Sequence, residues 1–520
     1  MTTRIASRAA CLAILLSTPL FPQIATSQYD NLRTAANLNE TTLTPTNVNA
    51  RQFGRLGSWK VDGPVYAQPL YLPNVDIPAN GRHNVLYVAT EHDSVYAFDA
   101  ERPGSEPLWH VSFLDGGREP LRQTDVFCPF LRPEVGITST PVIDMRTGTL
   151  FVLARTRIRH SFSATDYLQH LHALAITTGV EKFGGPKLIQ ASAAGKGAAS
   201  SGGRIEFDPL HENPRASLLL VKGNVILTWG SSCDVDPYHG WVMSYDAQTL
   251  AQKAVLNVTP DGTEGGIWAS DVGPAADAAG HVYVPTGNGT FDAGSGGRDY
   301  GDSVLKLDPS TLRILDYFTP YDQDSLSRED ADIGSSGPTL LPDMRGPHSH
   351  VLLQPTKDGT LYVIDRDAMG KFRRDDNAVL QQIRLGGGAY GAMAYWNGHV
   401  YFAASDDYLR DFVLSGGLLK EASRSLSPRF DNPGATPAVS ANGARNAIVW
   451  LISTRTWNGD ERPAVLYAYD ATNIQQPIYS SAQHPRDRAA WATRFVVPVV
   501  VNGRVYFGTR ETVEAYGLLK

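Results

Sequence analysis

The feature that most constrains the fold of this chain is a strand pattern that recurs eight times along nearly its whole length. In each copy a short apolar strand is followed by a turn, a second strand rich in Val, Tyr and Phe, a polar turn and a third strand. The third strands end at Asp99, Ala175, Asp246, Asp308, Asp365, Ser415, Asp470 and Gly517. Short strands repeated every 50 to 75 residues or so are typical of radially arranged four-stranded sheets and not of a helical solenoid.

Proline opens the first strand of six copies. Because proline has no N–H to donate, it is tolerated at the start of a strand, where no donor is needed. The six positions are Pro69, Pro141, Pro274, Pro338, Pro437 and Pro498. This spacing supports one repeating unit and not several unrelated domains.

The two ends of the chain complement each other. The last copy stops at Lys520 with three strands, whereas residues 53–63 form a single strand ahead of the first copy. Joining them closes a ring and hides sheet edges that would otherwise pair with other chains. The sequence therefore predicts an all-β, eight-bladed β-propeller of four-stranded antiparallel sheets, closed by the N-terminal strand. Residues 50–520 form this single domain, and residues 28–49 are an extended lead-in.

Residues 1–27 have the pattern of a signal peptide. Arg4 and Arg8 precede an apolar stretch over residues 9–21, and residues 25–27 form a small-residue cleavage site. A secreted or periplasmic protein is therefore expected. No later run approaches the length of a membrane helix, so no stable membrane span is expected. The formal net charge of −7 gives no basic surface for nucleic acid.

Three cysteines are present. Cys11 leaves with the signal peptide, and Cys128 and Cys233 remain in a compartment that permits disulfides. The sequence leaves open whether these two pair.

The repeat resembles that of the pyrroloquinoline quinone (PQQ) propeller family, which includes quinoprotein alcohol dehydrogenases. Blades of that family end in a pattern similar to ALDxxTGxxxW, and this chain has DAERPGSEPLW ending at Trp109 and ALAITTGVEKF ending at Phe183. The similarity extends over nearly the whole mature chain. It implies the fold more strongly than the function, because non-enzymatic propellers, including outer-membrane assembly scaffolds, share the repeat.

A segment of blades 3 and 4 implies a cofactor site. The stretch GGIWASDVGPAADAAGHVYVPTGNGTFD looks like the segment in which the dehydrogenases place the tryptophan floor under the quinone and an asparagine ligand to calcium. By that match Trp268 is the floor and Asn288 the calcium ligand. A flat aromatic face suits a planar quinone, and Ca²⁺ takes oxygen ligands.

The resemblance also implies acidic residues with defined roles. The family places a catalytic aspartate shortly after the TGN turn, where this chain offers Asp299, which we favour, and Asp302. This base would take the proton of the substrate hydroxyl. A glutamate ligand of the family is missing, and Asp234 or Asp236 stands beside its place as a metal ligand.

Two further segments match quinone-contacting positions. Lys357 precedes a DG turn as a quinone-contacting lysine does in some dehydrogenases. The family carries two adjacent cysteines followed by an arginine, and this chain has only Cys128, with Arg132 after it. No CxxCH motif follows, so no haem attachment to this chain is expected.

These matches favour a PQQ- and Ca²⁺-dependent oxidoreductase acting on an alcohol or sugar hydroxyl, with a separate electron acceptor. One alternative is a binding or scaffold propeller with a degenerate quinone pocket. Another is a polysaccharide lyase or hydrolase that uses the central channel, with residues drawn from His239, Tyr238, Glu264, Arg298 and Tyr390. The acidic stretch over residues 321–333 is interpreted as a solvated loop and not as a cation site.

Overall fold

The eight predicted sheets form a closed ring in the computed structural model, which describes residues 22–161, 164–270, 272–454 and 462–520. The prediction of an eight-bladed β-propeller is confirmed. Within each blade the strands pair antiparallel, and they follow chain order in every blade except the last, whose outermost strand comes from the N-terminal part of the chain. The first strands of neighbouring blades contact one another, so they lie innermost, around the axis.

The strands of each blade are given from the inside outward. Blade 1 contains Leu70–Ile77, Gly81–Ala89, Ser94–Asp99 and Trp109–Ser112. Blade 2 contains Val142–Asp144, Thr149–Arg159, Thr165–Ala175 and Lys187–Leu188. Blade 3 contains Leu219–Val221, Asn224–Ser231, Trp241–Asp246 and Gln252–Asn257. Blade 4 contains Ala275–Ala276, Val282–Pro285, Val304–Leu307 and Ile314–Phe318.

The second half of the ring repeats this arrangement. Blade 5 contains Thr339–Leu340, Val351–Pro355, Thr360–Asp365 and Gln381–Arg384. Blade 6 contains Ala394–Trp396, His399–Phe402, Arg410–Ser415 and Leu418–Arg424. Blade 7 contains Ala438–Asn442, Arg445–Ser453, Val465–Asp470 and Tyr479–Ser480. Blade 8 contains Val499–Val501, Arg504–Gly508, Thr512–Leu518 and, outermost, Phe53–Lys60.

The ring is closed as the sequence predicts. Phe53 pairs with Leu518 at one end of the antiparallel ladder, and Lys60 pairs with Thr512 at the other. The side chain of Phe53 packs against Trp450 of blade 7, with ring centroids 5.6 Å apart. Trp59, from the same strand, lies 5.7 Å from the ring of Phe98 in blade 1. The N-terminal strand therefore buries aromatic side chains against both neighbouring blades.

Short elements are inserted between the blades. Between blades 1 and 2 they are Arg118–Arg122, the helix Gln123–Val126 and Glu134–Val135; between blades 2 and 3, the hairpin Ser192–Ala194 with Arg204–Glu206, then Glu212–Asn213. The helix Gln323–Arg328 precedes blade 5, and short 3-10 helices cover Ala293–Ser295 and Pro485–Asp487. No helix in these described ranges is long and apolar enough to cross a membrane.

The lead-in is more tightly bound than an extended tail. Residues 24–39, called here the N-terminal strap, include the strand Ala36–Asn37, which pairs parallel to blade 7. The strap also forms hydrogen bonds with the innermost strand of every blade. Its partners, from blade 1 to blade 8, are Tyr71, Ile143, Leu220, Ala276, Leu340, Tyr395, Val439 and Val500.

Arg33 anchors the strap at the axis. Its side chain is fully buried, and it donates hydrogen bonds to Ser27 O (2.7 Å), Thr26 Oγ1 (2.8 Å) and Pro274 O (2.9 Å). Burial lowers the pKa of Arg33 to about 10, so it remains charged at neutral pH. The strap therefore lies in the axial channel against the inner strands of all eight blades.

Candidate functional site at the open end of the axial channel

A cavity of about 270 Å³ lies among the loops that enter the inner strands and leave the second strands. Because neighbouring strands are antiparallel, these two kinds of loop meet at the same end of the ring. The cavity is lined by Cys128, Phe130, Leu131, Asn213, Arg215, Ser231, Cys233, Asp234, Trp268, Ser270, Asp330, Asp332, Ser335, Lys357, Tyr390, Arg494 and Phe495. Four of the predicted site residues are thus brought together: Trp268, Lys357, Cys128 and Asp234.

Trp268 is held in a seat made by glycines. A Cβ added to Gly266 would lie 2.7 Å from the indole, one on Gly230 would lie 3.1 Å from it, and one on Gly287 would overlap it. The indole Nε1 donates to the carbonyl of Ser231 at 3.1 Å. The side chain is only half-buried, so its uncovered surface faces the cavity. These glycines belong to the motifs WGS, GGIW and TGN, and their lack of a side chain leaves room for the indole.

The lysine and the acidic residues form one chain of contacts. Lys357 Nζ pairs with Asp330 Oδ1 and lies 3.6 Å from Asp332 Oδ1. Asn288 Nδ2 donates to the same Asp330 Oδ1 at 2.9 Å. Burial disfavours the charged form of Lys357, but Asp332 and Asp330 more than offset this effect, so its pKa is raised. The ammonium therefore stays charged.

Asp332 is the most enclosed of the lining carboxylates, with 2% of its surface exposed. It accepts hydrogen bonds from Ser335 Oγ at 3.0 and 3.1 Å. Burial raises the pKa of Asp332, and the charge of Lys357 opposes this rise. The interpretation of residues 321–333 as a solvated loop was incomplete, because Asp332 is buried at the cavity wall.

Asp234 lies on another part of the wall. Its carboxylate faces solvent inside the cavity and accepts from Tyr238 Oη at 3.0 Å, and the ring of Tyr238 lies edge-on to Trp268. Because the site is recessed, loss of bulk hydration raises the pKa of Asp234, and the negative charge of Asp330 adds to this effect.

Asn288 and Asp302 lie immediately behind the lining. Asn288 is 7% exposed, and its Oδ1 atom has no hydrogen-bond partner among the described residues. Asp302 is fully buried and accepts from Ile333 N and Gln323 Nε2, both at 3.3 Å. Burial raises the pKa of Asp302 well above its usual range, and Asp332 raises it further.

Besides Asn288 and Asp302, three other predicted residues lie outside the cavity wall. Asp299 lies in a loop where it accepts from Asp261 N at 2.9 Å, and burial raises its pKa. Asp236 is exposed. Arg132 is exposed in the neighbouring cleft, which it shares with Glu134 and Arg510.

Most residues of the lyase alternative lie outside the cavity wall, although Tyr238, His239 and Glu264 are neighbours. His239 is buried and bonded through both ring nitrogens, to Thr259 Oγ1 and Ala198 O, and burial lowers its pKa. Arg298 forms an ion pair with Asp261 at 2.8 Å. Of the five residues considered for that chemistry, only Tyr390 lines the cavity.

Cys128 and Cys233 form a disulfide, which answers the question that the sequence left open. Their Cα atoms lie 5.4 Å apart, and the bond joins the insertion before blade 2 to the loop after the second strand of blade 3. Both cysteines line the cavity. The disulfide therefore fixes two loops of the cavity rim to each other.

Sequence analysis did not identify the arginines of this cavity. Arg215 and Arg494 come from the loops before blades 3 and 8, and their side chains lie on aromatic rings that also line the wall. No motif marks either loop. The one available signal was position: each loop directly precedes an inner strand, and such loops lie at the cavity end of the propeller.

The comparisons with known proteins concern the fold. No protein-family model matches the sequence, and no curated protein does. Solved structures do match. The quinohemoprotein alcohol dehydrogenase from Comamonas testosteroni is 16% identical, with a TM-score of 0.62, over 95% of this chain and 80% of that chain. A europium-containing methanol dehydrogenase is 12% identical, with a TM-score of 0.61, over 96% of this chain and 98% of that one.

A third matching structure is not named as a dehydrogenase. BamB from Moraxella catarrhalis is 13% identical, with a TM-score of 0.50, over 89% of this chain and 99% of that one. At these identities the likeness establishes a shared propeller fold. Function has to be argued from the site.

Proposed function

We propose that this chain is a secreted or periplasmic quinoprotein-type oxidoreductase that binds PQQ and Ca²⁺ in the axial cavity and oxidises an alcohol or sugar hydroxyl. The observation that carries the proposal is the seat of Trp268. Three glycines from three separate segments make room for one indole whose open surface faces a cavity containing a lysine and carboxylates. An interior aromatic that served only packing would not need an uncovered face.

The residues present suit a planar, electron-accepting group. Trp268 offers a flat surface for stacking, and Lys357 offers a positive charge that favours electron density on a bound ring. Asn288 Oδ1 is a buried oxygen without a hydrogen-bond partner in the part of the chain that the structure describes, and Ca²⁺ takes amide oxygens of this kind as ligands. Asp234 would be the second protein ligand.

Calcium needs six to eight oxygen ligands, which is more than these two residues supply. Within the described ranges no three His, Cys, Asp or Glu side chains form a metal-binding group. The protein therefore fits a cation that shares its coordination with water and an organic ligand, and not a self-sufficient metal centre.

When bound, PQQ and Ca²⁺ would supply a two-electron acceptor and its Lewis acid. The side chains of this chain would do the rest. The geometry favours Asp332 as the group that accepts the hydroxyl proton, because it lines the cavity and lies beside Lys357. The nearby ammonium opposes the rise in the pKa of Asp332 that burial causes, and so favours the ionised form that a general base requires. Ser335 fixes the orientation of this carboxylate.

Asp302 supports this arrangement from behind. Its carboxyl group accepts from the backbone N–H of Ile333, the residue after Asp332, and so holds the loop in place. Asp299, the residue favoured by sequence, lies outside the cavity wall. We therefore assign the base to Asp332 and a positioning role to Asp302.

Reconstitution tests the proposal. Purified protein is titrated with PQQ in the presence of CaCl₂, and quinone absorbance and tryptophan fluorescence are followed. Dye reduction is then measured with a panel of alcohols and sugars. We expect saturable binding that Trp268→Phe weakens about tenfold or more, with Trp109→Phe on blade 1 as the matched control. Absence of PQQ binding in the wild-type protein would overturn the proposal and leave the scaffold interpretation.

A further inference from the structure

Two buried arginines that are far apart in the sequence line the cavity. Arg215 precedes blade 3 and Arg494 precedes blade 8, and they are 8% and 7% exposed. Both line the cavity that contains Trp268 and Lys357. Arginine is rarely buried to this extent without an anionic partner, because desolvating its charge is costly.

Each guanidinium lies on an aromatic ring. The Arg215 Cζ atom is 4.2 Å from the centroid of Phe495, and the Arg494 Cζ atom is 4.2 Å from that of Phe130. Because Phe495 follows Arg494 directly in the chain, the two stacked pairs hold each other in place. Stacking fixes the guanidinium plane and leaves its N–H edge to donate to a planar acceptor.

Two of the three nitrogen atoms of the Arg215 guanidinium lack a hydrogen-bond partner among the described residues. These atoms, Nε and Nη2, are buried. A buried donor without an acceptor destabilises the folded state, and the cost is greater when the donor is charged. Such a group in a cavity wall indicates that a ligand supplies the missing acceptor.

The charges around the two arginines also favour a bound anion. The pKa of Arg494 is lowered to about 10, mainly by burial and partly by the neighbouring positive charges of Arg215, Arg132 and Arg510. Glu91, on the blade 1 side, interacts electrostatically with both Arg215 and Arg155, and burial raises its pKa to about 7. An anion bound between the arginines would relieve their mutual repulsion.

We infer that Arg215 and Arg494 form a carboxylate-binding subsite in this cavity. The subsite is separate from Arg132, the position that the family resemblance indicated, which lies outside the cavity wall. The carboxylate belongs either to the quinone cofactor or to an acidic substrate such as a sugar acid. Only the choice between these sources rests on the proposed function, since the subsite itself is defined by the arginines.

The subsite is tested first without any quinone. Binding of benzene-1,3,5-tricarboxylate and of the neutral benzene-1,3,5-tricarboxamide is measured by calorimetry on the full chain. We expect the tricarboxylate to bind the wild type at least tenfold more tightly, and Arg215→Gln and Arg494→Gln each to reduce this affinity about tenfold. Arg215→Lys should restore part of it, and Arg345→Gln, at an exposed site, should change nothing. Equal affinity of the wild type for both compounds overturns the inference, even if a variant fails to fold.

A second series identifies the source of the carboxylate. PQQ is compared with its trimethyl ester, and galacturonate with galactose, on the wild type and on Arg215→Gln. Tighter binding of PQQ than of its ester, lost in Arg215→Gln, assigns the subsite to the cofactor. Equal binding of PQQ and ester, with an Arg215-dependent preference for galacturonate, assigns it to the substrate. Tricarboxylate binding without any PQQ binding would keep the subsite and refute the proposed quinone function, whereas loss of every charge preference would refute the subsite.

Discussion

The Nζ atom of Lys357 lies 3.6 Å from Oδ1 of Asp332, across the loops of blade 5. The lysine charge lowers the pKa of a carboxyl group whose burial raises it. The balance between these two effects determines the pH at which Asp332 can act as a base.

Removing the lysine charge should therefore change the pH dependence of turnover. In Lys357→Met the pKa of Asp332 is expected to rise, so the acid limb of the kcat/KM profile should move to higher pH by about one unit or more. Lys420→Met, on the outer strand of blade 6, is the matched control and should leave the profile unchanged. An unmoved acid limb in Lys357→Met would contradict the role of Asp332.

Adding a methyl group beside Trp268 should impair ligand binding and leave the propeller fold intact. The backbone of Gly287 does not have a left-handed conformation, so alanine is tolerated there, but its Cβ would overlap the indole of Trp268 and lie 2.9 Å from Asp332 Oδ2. We expect Gly287→Ala to weaken PQQ binding at least tenfold, as measured by fluorescence titration. Its circular dichroism spectrum should match that of the wild type. Unchanged affinity would show that the position of Trp268 is not needed.

The disulfide should contribute measurably to stability. The bond between Cys128 and Cys233 closes a loop across 105 positions, and loops of this length stabilise the folded state by roughly 3–5 kcal/mol. Reduction, or the double change Cys128→Ser and Cys233→Ser, should lower the Tm. Thiol titration of the unreduced mature protein should detect no free cysteine. A full complement of free thiols would contradict the pairing.

Glu91 should make stability depend on pH. Burial raises its pKa from 4.5 to about 7, so the folded state disfavours the charged form. Below pH 4.5 the group is protonated in both states and costs nothing. As pH rises from about 4.5 to 7, the unfolded state ionises first, and the folded state loses up to about 3 kcal/mol relative to it.

Glu91→Gln removes this titration. The Tm of the variant relative to the wild type should therefore rise between pH 5 and pH 8, as measured by thermal scans in matched buffers. Glu106→Gln, at an exposed site of blade 1, should show no such trend. A constant difference between Glu91→Gln and wild type over this range would contradict the assignment.

The strap also predicts the start of the mature protein. Sequence analysis predicts cleavage after residue 27, whereas the contacts of residues 24–27 lead us to expect an earlier site. Ile24 exchanges two backbone hydrogen bonds with Tyr71, and Thr26 and Ser27 supply two of the acceptors of buried Arg33. Losing these contacts would leave a buried guanidinium short of partners. N-terminal sequencing of the exported protein should give a first residue at or before Ile24; Gln28 would contradict this expectation.

The ring could be predicted from sequence because its determinants are local. Each strand is recognisable from a few neighbouring residues. The single strand over residues 53–63 had one evident partner, the three-stranded last copy of the repeat. Trp268, Lys357, Cys128 and Asp234 were found for a similar reason, since each stands in a short motif. The structure places all four at one cavity.

The remaining part of the site depends on long-range contacts. Arg215 and Phe495 meet only because the loops before blades 3 and 8 both point toward the axis, which no local pattern encodes. Asp332 resembled its exposed acidic neighbours, and its burial results from packing against blades 4 and 5. The choice between Asp299 and Asp302 was ambiguous in sequence because both lie three residues apart in one loop with no periodic pattern.

The strap has a consequence for how the chain reaches its native state. Its partners are distributed over all eight blades, and blade 8 is itself incomplete without the strand Phe53–Lys60. The strap thus has no complete docking surface until the strands of blade 8 have been made. Unlike a solenoid, whose repeats can add one after another, this molecule should gain its final stability in a single late event that docks the strap and the strand Phe53–Lys60 onto the other strands.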